Sequence, residues 1–162
     1  MKHYAKISAI ILLCGSAVAF AAGGDGGGGG SSAEPRAPAD PVVAAAQAAI
    51  AQQDWAGAQS GLQKALAANP QNADYHNLYA YSIRKGPNPD MELVFKHYEE
   101  ALRINPKHRA AHEYSGEAYL IVNDLPKAKQ HLAALDKLCF LPCEEYKDLK
   151  KAVVSYEANH KP

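Results

Sequence analysis

The chain has 162 residues, 48% of them hydrophobic and 21% charged, with 17 basic and 17 acidic side chains. That is the composition of an ordinary globular domain, and it excludes a collagen-like or wholly disordered chain. The basic residues are interleaved with acidic ones and never run longer than two, so a nucleic-acid partner is not expected.

The first element is a leader. Lys2 and Lys6 precede the apolar run Ile7 to Leu13, and Ala17-Val18-Ala19 or Ala19-Phe20-Ala21 follows as a small-x-small cleavage site. A signal peptide is expected over residues 1–21, with export to the periplasm and no membrane span in the mature chain. Cys14 lies within this segment. A lipid anchor there is the alternative, but Leu13 stands where the lipid-attachment motif wants a small residue.

Residues 22–40 read as a disordered tether. Gly23 to Pro41 holds seven of the twelve glycines together with Pro35, Pro38 and Pro41, too little apolar surface to offset chain entropy.

From there on, apolar spacing predicts helices near 41–53, 56–68, 72–85, 89–104, 107–122 and 125–138. Asp40-Pro41, Asn88-Pro89 and Asp124-Leu125-Pro126 each place a capping side chain ahead of an early proline. Ala58, Leu62, Ala65 and Pro70 are spaced four, three and five apart, as are Val94, Tyr98, Ala101 and Pro106, and a partial copy begins at Ala128 and Leu132. Tyr75, Leu78 and Tyr79, then His112, Ser115, Gly116 and Tyr119, supply the other half of the unit.

These two half-motifs resemble those of the tetratricopeptide repeat (TPR) family over residues 41–158. The resemblance implies an all-α, right-handed superhelix of three helix pairs, with repeats near 41–70, 72–106 and 108–140. In the second pair the inner turn, Lys85 to Asp90, is about three residues longer than the family's, and Tyr79 stands in the place of the small residue. Both are expected to splay that hairpin. The helix that follows, 142–157, has Tyr146, Leu149, Val153 and Tyr156 on one stripe and is expected to cap the array.

The resemblance also implies a scaffold that binds a protein or peptide in a concave groove, with no catalysis and no cofactor. Carried across, the groove positions are Val43 and Gln47, then His76, Asn77, Ala80 and Arg84, then Ala110, Glu113, Glu117 and Ile121. Of the residues with which some members grip a C-terminal carboxylate, only Asn77 is present. Arg84 with Glu113 and Glu117 reads equally as a surface ion-pair cluster.

Two smaller constellations remain. His108 and His112, four apart, share a helix face as a metal pair can, but no glutamate stands between them as a metalloprotease needs. Cys139 and Cys143 are also four apart. On an unbroken helix their β-carbons would sit about 6 Å apart, against about 3.8 Å for a disulfide, but Pro142 ends the helix near Cys139. A structural disulfide between Cys139 and Cys143 is expected; a redox or copper-binding thiol pair near His131 is the alternative, and two inert thiols also fit this spacing. The ending C-x3-C-E-E-Y is similar to that of small exported proteobacterial TPR proteins.

Overall fold

Short polar side chains decide where nearly every helix of this chain begins. The computed structural model describes residues 40–160; the expected signal peptide, Cys14 and the linker as far as residue 39 lie outside the described residues. Seven helices follow: α1 (Pro41–Ala51), α2 (Trp55–Ala68), α3 (Ala73–Lys85), α4 (Met91–Ile104), α5 (Arg109–Ile121), α6 (Leu125–Leu138) and α7 (Glu144–Asn159). Asp40, Asp54, Asn72, Asp90, His108 and Asp124 cap the first six, each accepting a backbone N–H of the first turn. Asn88-Pro89 does not start α4, contrary to expectation. Asp90 takes that role, its Oδ1 accepting Leu93 N–H at 3.1 Å, while Asn88 turns the chain at φ 54°.

The helices form three antiparallel pairs and a cap, the all-α superhelix of TPR type. Each pair's inner turn passes through one left-handed residue, Gln53, Asn88 or Asn123. The turn between α3 and α4 spans residues 86–90, against 52–54 and 122–124 in the other pairs. It is therefore two residues longer than its counterparts, and it does not splay the hairpin: α3 and α4 pack as extensively as α5 and α6.

The reason is a register that the sequence reading placed one residue early. His76 Nε2 bonds the Pro70 carbonyl at 3.0 Å, and His112 Nε2 bonds the Pro106 carbonyl at 3.0 Å. These two histidines are thus equivalent, so the partner of Gly116 is Ala80, not Tyr79. Ala80 is fully buried beside Ile83, Val94, Tyr98 and Ala118, and the close approach is kept. Tyr75 is still buried, with Ala46 and Leu62 in the first core cluster, and its hydroxyl donates to Asp40 Oδ2 at 2.8 Å.

At the other end α7 closes the core. Leu149 and Val153 are buried against Leu120, Ala128 and Leu135, with Tyr146 and Tyr156 packed around them. α6 ends at Leu138, and Cys139 and Cys143, with Cα atoms 5.8 Å apart, are joined across the hinge. The cap begins two residues after Pro142 rather than at it, on Glu144 and Glu145, whose charges suit a helix N-terminus.

Candidate functional site: the inner face of the helix array

Curvature follows from which helices touch. α1 packs on α3, α3 on α5 and α5 on α7, whereas α2, α4 and α6 make no contact with one another among the described residues. The first helices of the pairs and the cap therefore make a continuous inner layer, the outer helices fan apart, and the concave face is the inner one.

Two hollows lie along that face. One, of about 180 Å³, is lined by Gln47 and Ile50 of α1, Leu78 and Tyr81 of α3 and Tyr114 of α5. The other, of about 370 Å³, is lined by Glu113 and Glu117 of α5 with Asp148, Lys151 and Ser155 of α7. Arg84 stands between them. Its guanidinium lies 5.4 Å from the Tyr81 ring centre and 5.8 Å from that of Tyr114. It donates to Glu117 Oε2 at 2.8 Å and, through Nε, to the Tyr98 hydroxyl at 3.3 Å. Its side chain is only 4% exposed, so this is no surface ion pair. Burial pushes the Tyr114 hydroxyl up to about 12.

The expected groove residues divide accordingly. Glu113, Glu117 and Arg84 come together around the second hollow, and Gln47 lines the first. Asn77 occupies in α3 the position of Glu113 in α5; it is buried, and its Oδ1 has no hydrogen-bond partner among the described residues. His76 and Ala80 do not face the groove. They point into the α3–α4 hairpin, His76 Nδ1 meeting His97 Nδ1 at 2.8 Å and Ala80 joining the core. Val43 packs against the first core cluster, and Ile121 is largely exposed at the end of α5.

Glu113 is the outlier in charge. It is 9% exposed and makes no hydrogen bond or ion pair among the described residues. Burial, then Glu117, Asp148 and Glu145, push its carboxyl up to about 8 against the opposing pull of Arg84.

Sequence reading missed Tyr81 and the α7 residues as groove elements. The signal for Tyr81 was the shared six-residue step from Pro70 to His76 and from Pro106 to His112, which aligns Tyr81 with Glu117. The histidine pair of α5 also resolves differently from a metal pair. His108 Nδ1 caps α5, accepting Ala111 N–H, and its Nε2 bonds Asp74 at 3.0 Å. His112 bonds Pro106 and, at 3.1 Å, His131. All four ring nitrogens are engaged, and His131 belongs to this cluster rather than to the cysteine pair.

No protein-family model and no curated protein matches the chain. Solved structures do. The type III secretion translocator chaperone SycD of Yersinia enterocolitica is similar at TM-score 0.63 and 12% identity, over 73% of this chain and 82% of that one. The same chaperone in an alternative dimer gives 0.60 at 16% identity, over 73% and 87%. A thermophilic TPR protein of Thermus thermophilus gives 0.61 at 16% identity, over 76% and 66%. What these likenesses share with the chain is its fold.

Proposed function

We propose that this chain is an exported adaptor, of the small proteobacterial TPR type and working in the periplasm, that holds a protein or peptide partner on its inner face. It is a binding module rather than an enzyme. The observation that carries the reading is the unmatched polar lining of the inner layer. Among the described residues Asn77 Oδ1 is sealed without a donor, and Glu113, nine-tenths buried, lines the second hollow without a hydrogen bond or ion pair. A sealed atom left unmatched, as Asn77 Oδ1 is, costs about 1–3 kcal/mol in a folded chain. A recognition surface accounts for that cost, whereas stability alone would have put apolar side chains there.

Tyr81 and Tyr114, tilted together at 4.7 Å between ring centres, add the aromatic platform that protein interfaces favour. The likeness to a secretion chaperone supports a protein as the class of partner, and the leader and joined cysteines support an oxidising compartment.

Crosslinking in the native compartment followed by mass spectrometry tests this. A partner enriched with the natural chain and lost with Tyr81→Ala is expected; equal recovery with both would sink the groove reading.

A further inference from the structure

The hollow between α5 and α7 is lined by three carboxylates, Glu113, Glu117 and Asp148, and two of them are left over. Glu117 is taken by Arg84, and Glu145 lies 3.5 Å from Arg109. Asp148 and Glu113 make no ion pair among the described residues, and Glu113 lines the hollow while being only 9% exposed. Lys151 of α7 stands at the mouth of the same hollow, exposed, and bridges neither of them.

No other cation of the neighbouring helices pairs with Glu113 or Asp148 among the described residues. From α4, the Tyr98 hydroxyl goes to Arg84. From α6, Lys127 pairs with Asp124, Lys129 with Glu157 and His131 with His112. From α7, Lys147 pairs with Glu144 and Lys150 lies over the Tyr146 ring.

We propose that the partner's anchoring group is a cation, a lysine or arginine side chain, seated in this hollow against the Glu113 carboxylate with Asp148 beside it. The proposal rests on the groove reading above and names the chemistry that the groove selects. A buried carboxylate flanked by further carboxylates gains more from a desolvated cation than from any neutral group. Ala152 gives the hollow an apolar wall that suits the methylene stem of such a side chain. Because the free carboxyl titrates near 8, seating a cation must expel a proton, so binding strengthens as pH rises toward 9.

The test uses fluorescein-labelled hexalysine as probe, hexaglutamate as its opposite, and anisotropy at low salt. The natural chain is expected to bind hexalysine saturably and hexaglutamate not at all, with affinity rising about tenfold from pH 7 to pH 9. Glu113→Gln keeps the side chain's shape; it should weaken hexalysine at least tenfold at pH 9 and flatten the pH profile. Glu157→Gln removes the same charge outside the groove and should change affinity less than twofold. Lys151→Met should tighten binding.

Equal affinity of Glu113→Gln and the natural chain, or no saturable binding, overturns the proposal. Partner capture separates its failure from that of the groove reading. A partner lost with Tyr81→Ala but kept by Glu113→Gln leaves the groove standing and removes the cation; a partner kept by both removes the groove as well.

Discussion

The histidines of the second and third repeats form the same device twice. A carbonyl only accepts, so Nε2 of His76 and of His112 must carry the proton that reaches Pro70 and Pro106. In the neutral pair the bare Nδ1 then accepts from Nδ1–H of His97 or His131. A first extra proton puts an imidazolium in a half-buried site, and a second sets N–H against N–H. Burial foremost, then the facing histidine, pushes His97 and His131 down to about 4. Unfolded, each would titrate near 6.5, so the unfolded chain takes up protons first as pH falls. The pairs' contribution to stability is therefore complete above about pH 6.5 and declines toward pH 4, by on the order of 1 kcal/mol per pair once solvent screening is allowed for. Urea midpoints at pH 7.5 and pH 5 should show the loss in Glu113→Gln, where the opposing proton uptake by that carboxyl is absent, and adding His97→Leu with His131→Leu should remove most of it. The pairing was hidden in the sequence because His97 and His131 sit on the second helices, 21 and 19 residues from their partners. Residue types alone do not say which of two adjacent aromatic positions, Tyr75 or His76, turns toward that helix.

Helices, by contrast, were legible to within two residues at their starts, because Asp40 and Asp124 announce α1 and α6, although Asn88 did not start α4. What spacing could not show is how tightly the last helix is held. A Cβ on Gly116 would lie 2.5 Å from Leu149 Cδ2, and Leu149 is fully buried, so it has nowhere to retreat. Gly116→Val should push α7 outward and cost about 2–3 kcal/mol, measured by chemical denaturation; Leu149→Ala in the same chain should recover part of it. A free gain from added helix propensity would refute this packing. The hinge before α7 is the second constraint. Cys139 closes α6 and Cys143 precedes α7, so their bond fixes the entry angle of the cap while Phe140 and Leu141 stay exposed. Closing so short a loop stabilises by about 2 kcal/mol. Cys139→Ala with Cys143→Ala should lower the unfolding free energy by that amount while leaving the helical circular-dichroism signal intact. A dithiol reductant should reproduce the loss in the natural chain and change nothing in the double variant.

At the scale of the whole molecule, a repeat array is only as cooperative as the contacts between its units. The principal polar one here is Arg84, which leaves α3, lies against Tyr81 and Tyr114, and ties Tyr98 of α4 to Glu117 of α5. Its position was predicted for the groove, but its burial was not, since a surface arginine and a buried one look alike until the partner helix is in place. Arg84→Ala strands Glu117 and opens a gap between two aromatic rings, a loss of about 3 kcal/mol. Arg84→Met keeps the stem and, paired with Glu117→Gln, leaves no carboxylate stranded, so that double variant should lose far less. The sharper consequence concerns cooperativity. Trp55, the single tryptophan, lies on α2 with its ring 6.5 Å from Tyr81, and so reports the first two repeats alone. In the natural chain its fluorescence and the circular-dichroism signal should follow one urea transition. In Arg84→Ala the two should separate, because the α5–α7 half keeps its own core around Leu135 and Leu149 while the first half loses its tie to it. Coincident transitions in that variant would mean that apolar stacking of Ala80 against the Ala118 cluster carries the coupling, and that Arg84 is retained for the groove.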